Sequence, residues 1–264
     1  MRLAFCTDGL DAQVGVVVEQ PEPDVLALEI HADDGADVDL VTRQVARMLS
    51  VDIDATGYDE LGERDPLVGK VQRSAPGLHP PLFHSAYEAA LWGVLSARQP
   101  AAQMSRVRER LAQEHGRVFE LAGVELAAVP SPHQLLGVTE IPGLFDAKLP
   151  RLHSIAQAAL DGVLDTNELR ALEPVRALSE LQRLPGIGAF YSELIVVRAL
   201  GHTDVLPMNE PRCREVAGAL VGAENALSQR EFAELAQAWR PWRTWVVVAL
   251  RATAPMPRSR RASR

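Results

Sequence analysis

Between Leu184 and Leu194 the chain reads Leu-Pro-Gly-Ile-Gly-Ala-Phe-Tyr-Ser-Glu-Leu, a segment through which neither a helix nor a strand runs unbroken. Proline supplies no N–H, and glycine opens backbone conformations closed to other residues. The spacing predicts that one helix ends before Pro185 and the next begins at about Ala189, with Ile187 anchoring the hairpin in a core. The first amides of a new helix have no partner inside it, and the helix dipole adds positive potential there. Such a turn can hold a phosphate without any charged side chain. A tight helix–helix turn without a ligand fits the same residues.

The rest of the chain is mixed. Over 13–18 and 24–30 alternate residues are apolar, as a half-buried strand requires, and Pro21-Glu22-Pro23 fits the connection between them. Val38, Val41, Val45 and Met48 fall at helical spacing, predicting a helix over 38–49 on a small sheet. A loop rich in Gly, Pro and Asp is expected from there to about Pro81. Helices are then expected over 86–95 and 101–115, the latter with Arg106, Arg108 and Arg110 on its polar side, and over 132–136, 147–160, 167–172 and 174–181. An irregular excursion is expected over 119–129, and no period indicates a solenoid. The expected division is an N-terminal α+β sheet domain over 1–80, a helical domain over 81–255 and a basic, disordered tail over 256–264.

With 264 residues, 47% of them hydrophobic, the chain can bury a real core as one large domain or two small ones. Two cysteines, Cys6 and Cys213, make neither a disulfide framework nor an iron–sulfur site, which takes about four thiolates. No apolar run reaches the roughly 18 residues of a membrane span, and Asp8 comes too early for a signal peptide, so an intracellular, soluble protein is expected. The net charge of −8 excludes coating nucleic acid through bulk positive potential but leaves room for a local site. Of the 27 basic residues only Lys70 and Lys148 are lysines, a bias that genome base composition explains. The seven histidines show no zinc-ligand spacing and read as surface or capping residues.

Three segments follow in a telling order: the hairpin, the loop Asp204-Val205-Leu206-Pro207-Met208-Asn209-Glu210-Pro211-Arg212, and Trp239-Arg240-Pro241-Trp242-Arg243-Thr244-Trp245. In this order they resemble the helix-hairpin-helix DNA glycosylases, specifically the 3-methyladenine DNA glycosylase II family. The resemblance extends upstream through Leu49-Ser50-Val51-Asp52, Asp65-Pro66-Leu67, Ala89-Ala90-Leu91-Trp92, Ile141-Pro142-Gly143-Leu144 with Lys148, and Leu160 to Asp165. It implies a small N-terminal antiparallel sheet domain followed by a two-lobed, all-α glycosylase domain. It also implies a cytoplasmic, nucleoid-associated monomer that binds double-stranded DNA with a damaged base, flips the nucleotide and cuts the base–sugar bond, with no cofactor beyond Na+ or K+ at the hairpin backbone. Flipping costs a few kcal/mol and is cheapest at a weakened pair, and a wedge residue in the vacated stack offsets part of that.

Carried over by position, Asn209 and Glu210 stand in the family's Pro-x-Asp-Asp-like loop, with Glu210 at the catalytic aspartate's place. The Gly-Gln-Gln-like wedge turn reads Ser96-Ala97-Arg98-Gln99 here, putting Arg98 at the intercalating position. The DNA-binding turn is Leu184, Pro185, Gly186, Ile187 and Gly188. Base-pocket positions hold Phe190, Leu194 and Arg251, with Tyr191 and Trp245 as alternative aromatic faces; the Trp239–Trp245 cluster reads mainly as core. Bifunctional relatives carry a Schiff-base lysine where this chain has Phe190, so the implied activity is monofunctional base excision. Glu210 as a plain helix-start residue and Arg98 as a solvated one fit the same sequence, as does a non-catalytic protein of this fold that recognises distorted DNA.

Overall fold

The computed structural model describes residues 1–33 and 35–253; the tail expected over 256–264 lies outside the described residues. Contacts group the chain into two compact units, Met1–Asp52 with Pro81–His202, and Ile53–Pro80 with the chain from Thr203 onward. This grouping differs from the sequence division at residue 80.

In the first unit, β1 (Arg2–Cys6), β2 (Gln13–Glu22) and β3 (Val25–His31) form an antiparallel sheet in the order β1-β2-β3. Helix α1 (Val38–Met48) covers one face, its Val41, Val45 and Met48 meeting Phe5, Val14, Val16 and Val18. The opposite face is covered by the hairpin of β4 (Val118–Leu121) and β5 (Val124–Ala127), whose Phe119 and Leu121 meet Ala4 and Val17. A Cβ on Gly15 would lie 2.8 Å from both Phe119 and Leu121, so glycine is what lets this second layer close. Two expectations are corrected here. The 119–129 stretch contains a β-hairpin, and β2 is buried on both faces over its first part because it is covered twice.

The loop expected from 50 to about 81 contains two helices, α2 (Thr56–Arg64) and α3 (Pro66–Ser74). Asp65 caps α3 by accepting the amides of Leu67 and Val68, with Pro66 at the first helical position. Their glycines serve close helix contact: a Cβ on Gly69 would lie 2.4 Å from the carbonyl oxygen of Gly62.

The first unit continues through α4 (Ala86–Ser96), α5 (Ala101–His115), α6 (Pro132–Leu136), a 3-10 turn Asp146–Lys148, α7 (Leu149–Leu160), α8 (Thr166–Ala171), α9 (Pro174–Leu181) and α10 (Ala189–Ile195), the last running on as a π-helical turn Val196–Leu200. Helix α4 is buried on nearly all sides and carries Glu88, fully buried, inside it. The Glu88 carboxylate accepts Arg108 at 2.9 Å and the backbone N–H of Cys6 at 3.4 Å and pairs with His84 Nδ1 at 2.9 Å. Arg108, expected on a solvated face, therefore turns inward, and His84 is neither a surface nor a capping residue. Burial pushes the Glu88 carboxyl up, but His84 and Arg108 outweigh it and hold it below the usual carboxylate range. Beside this cluster Arg47 pairs with Asp8 at 2.8 Å and donates to the carbonyls of His84 and Ala199. Burial of Asp8 prevails over Arg47, raising its carboxyl above the ordinary value.

The second unit adds α11 (Pro211–Leu220), α12 (Gln229–Leu235), a 3-10 turn Ala236–Trp239 and α13 (Arg243–Thr253). Its core is aromatic: Trp239, Trp242 and Trp245 pack with Tyr58, Leu61, Val68, Val71 and Phe232, and Trp239 Nε1 donates to Asp65 Oδ2 at 3.2 Å. Among the described residues no helix is long and apolar enough to cross a membrane.

Candidate nucleic-acid interface and carboxylate

The glycine hairpin lies in the first unit, between α9 and α10. Gly186 holds a φ of +93°, open to glycine and strained for other residues. The amide of Ile187 donates to Leu184 at 3.0 Å, closing the turn, and Gln182 Nε2 donates to Ser192 Oγ at 3.0 Å across it. Ile187 and Leu184 are buried, while Pro185, Gly186 and Gly188 are exposed. Of the five turn residues expected to meet DNA, the side chains of Leu184 and Ile187 are thus anchors. Gly188 is the N-cap of α10, brings no capping side chain, and has open space where a Cβ would stand. The first-turn amides of α10 therefore have no side-chain cap, which leaves them competent to receive an anion.

Helix α4 packs against this hairpin without a spacer. A Cβ on Gly93 would lie 3.1 Å from Ile187 Cδ1 and 3.2 Å from the Tyr191 ring. One turn on, the hydroxyls of Ser96 and Tyr191 are 3.0 Å apart. The Ser96–Gln99 turn is thereby tied to the hairpin, and it presents Arg98, exposed and at a φ of +56°. Phe190 is 41% exposed and stacks edge-on with Tyr191 at 5.1 Å, and Leu194 is half-buried. Two cations that the sequence reading gave no role also belong here. Lys148 is buried, with Nζ donating to the carbonyls of Leu95 at 2.6 Å and Ala97 at 2.9 Å. Arg151 is exposed, and its Cδ lies 3.4 Å from where a Gly186 Cβ would be. Lys148 was marked in the sequence by its place in the family resemblance, and the signal for Arg151 is its three-residue spacing from Lys148 at the start of α7.

The carboxylate lies in the second unit. Its loop is fixed at the front by Asp204, which accepts Arg243 at 2.5 Å and Arg240 at 3.0 Å, and by Val205, whose amide donates to Thr244 Oγ1 at 2.9 Å. At its end Glu210 caps α11: Oε1 accepts the Arg212 amide at 3.1 Å, with Pro211 at the first helical position. Oε2 stands 3.8 Å from Arg251 Nε, and the Glu210 side chain keeps 23% of its surface. Below it Cys213 is buried, its thiol pushed up to about 12 by burial and then by the Glu210 charge. Arg251, expected at a base-pocket position, is the ion partner of Glu210. Trp245, expected as a free aromatic face, is buried, with Tyr58, His79 and Trp242 each about 5 Å away, and only edges a cavity of about 410 Å³ in this unit. Among the described residues no cluster of three or more His, Cys, Asp or Glu has the geometry to hold a metal.

No family model matches the chain. Over 247 residues, 92% of the chain, it is 28% identical to a probable bifunctional transcriptional activator/DNA repair enzyme AlkA of Mycobacterium tuberculosis, and over 185 residues, 69% of the chain, 24% identical to the DNA-3-methyladenine glycosylase 2 of Escherichia coli. The match spans 48% of the first relative's length and 62% of the second's. In structure the chain superposes on a 3-methyladenine DNA glycosylase from Archaeoglobus fulgidus with a TM-score of 0.79 at 19% identity, covering 94% of this chain and 84% of that one. The expected α+β glycosylase fold is the one observed.

Proposed function

From these similarities we propose that this chain is a helix-hairpin-helix DNA glycosylase of the 3-methyladenine DNA glycosylase II family, monofunctional and acting on alkylated or weakened bases. The observation that carries this reading is the open glycine turn, whose exposed Gly186 and Gly188 lead into helix-start amides with no side-chain cap. Those amides receive a phosphate of one strand, and Arg151 beside them adds a cation, so an acidic chain grips DNA locally. Arg98 fills the stack that the flipped nucleotide leaves. Phe190 and Tyr191 offer ring faces to the base, and backbone carbonyls of the hairpin would hold Na+ or K+, which would supply positive charge toward the phosphate.

As an alkylated base departs, positive charge develops on the sugar ring. A carboxylate about 4 Å away is worth roughly 4 kcal/mol at an effective dielectric near 20, about a thousandfold in rate. Glu210 supplies that charge. Its stem is one methylene longer than that of the family's aspartate, and its capping bond to the Arg212 amide fixes where the carboxylate stands. The test is release of methylated base from duplex DNA under single-turnover conditions: the wild type should release it and Glu210→Gln should not, and equal rates would remove Glu210 from the mechanism.

One observation favours a second reading, in which the protein binds distorted DNA without cutting it. The Glu210 carboxylate is engaged on both oxygens, as a helix cap and beside Arg251. Tight binding to an abasic-site duplex with no base release, unaltered by Glu210→Gln, would establish this alternative.

A further inference from the structure

The last carbonyls of a helix have no partner within it and carry the negative end of the dipole, so their fate decides the direction in which the chain leaves. At the end of α4 two of them, Leu95 and Ala97, are taken by the single ammonium of Lys148, reaching in from the 3-10 turn before α7. Between and just beyond them Ser96 Oγ donates back to Trp92 at 2.7 Å, the Gln99 amide donates to Ser96 at 3.1 Å, and Arg98 sits at a φ of +56°. A left-handed conformation costs a non-glycine residue on the order of 1 kcal/mol and persists only where its surroundings impose it.

We infer that Lys148 is the positioning residue for Arg98: its ammonium pins the carbonyls on either side of Ser96 and so holds the left-handed turn that presents the Arg98 side chain outward. The inference rests on the proposed wedge role of Arg98. The composition supports it independently. Lys148 is one of two lysines among 27 basic residues, and the other, Lys70, is exposed. In a chain that otherwise uses arginine almost throughout, lysine stands where a compact, three-donor point charge must fit between two backbone oxygens, a place a planar guanidinium suits poorly. Lys148 is also buried, and desolvation and then the Arg151 charge lower its ammonium below the ordinary lysine value. A lysine held against that bias is bound by what its protons contact.

The experiment has two arms on the full chain, with Lys148→Met and, as the milder change, Lys148→Gln. In the first, hydrogen exchange of the free protein is followed by peptide. Residues 95–99 should exchange at least tenfold faster in Lys148→Met, and 184–194 should be unchanged. In the second, a duplex carrying 2-aminopurine at the target position reports flipping by its fluorescence, with and without Arg98→Ala. Lys148→Met should lower flipping about tenfold in the wild-type background and less than twofold in Arg98→Ala. Unchanged exchange over 95–99 in both variants overturns the inference, as does a full additional loss of flipping in the Arg98→Ala background. If exchange shifts as expected but the wild type neither flips nor releases a base, the glycosylase reading has failed and the positioning of a wedge fails with it, while the hold of Lys148 on the turn stands.

Discussion

Glu210 and Arg251 meet at 3.8 Å, Oε2 to Nε, in the second unit, while the other oxygen of Glu210 accepts the Arg212 amide. The carboxylate is thus held from two sides, by the start of α11 and by the last turn of α13. A carboxylate fixed in this way needs no reorganisation when a neighbouring cation develops, which is what electrostatic catalysis asks of it.

Replacing Glu210 by glutamine keeps an oxygen for the Arg212 amide and removes the charge. Stability should change by less than about 1 kcal/mol. Base release should fall on the order of a hundredfold to a thousandfold, following the charge argument. Paired measurement of melting temperature and single-turnover release checks both halves; a matching loss of stability would reassign Glu210 to a structural part.

Gly188→Asp separates fold from grip. The site has open space for a side chain, and aspartate at an N-cap satisfies the first-turn amides itself, so the melting temperature should hold or rise, by up to about 1 kcal/mol of stability. The same carboxylate occupies the amides and repels phosphate, so affinity for an abasic duplex should fall at least tenfold in a fluorescence anisotropy titration. Gly186→Ala should cost stability instead, read as a lower melting temperature. Its φ of +93° and a contact at 3.3 Å to Val94 make the change destabilising, by about 1 kcal/mol or more.

Arg151→Ala should weaken binding to damaged and undamaged duplexes alike and flatten the salt dependence by about one unit of slope. Titrations at several salt concentrations give that slope, and one indistinguishable from the wild type's would exclude Arg151 from phosphate contact.

The buried Glu88 cluster sets an acid limit on the first unit. Because its carboxyl is held below the ordinary value, Glu88 contributes stability that is fully present above the usual glutamate range and lost as pH falls through the depressed folded value. Asp8, raised by burial, has the opposite sign and costs stability as pH climbs above its unfolded value. Glu88→Gln, which leaves Arg108 and His84 without their anion, should lower neutral-pH stability by about 3 kcal/mol. It should also lose part of the wild type's decline in acid. Denaturant unfolding across pH measures both, and parallel curves for the two proteins would contradict this assignment.

The hairpin was legible in the residues themselves. Proline and two glycines forbid a continuous helix wherever they occur, and an isoleucine between the glycines must find a core, so the turn at 184–188, the buried Ile187 and the start of α10 at Ala189 follow from local chemistry alone. The α1 helix was legible by its apolar spacing, a local property, and the strands near 13–18 and 24–30 by position, while the burial of β2 on both faces was not, because the hairpin that covers its second face comes from a distant segment. Helices α2 and α3 were hidden because their glycines mimic loop composition while serving close packing that only a partner helix explains. What tertiary structure alone decided is which distant groups share a place. The hold of Lys148 on the carbonyls of Leu95 and Ala97, the pairing of Glu210 with Arg251, and the inward turn of Arg108 onto Glu88 link residues 20 to 53 positions apart. Local preferences fix the backbone's breaks and faces, but a buried ion or ammonium takes its partner from whatever donors and carbonyls the packed chain brings within reach, and sequence spacing carries no trace of that.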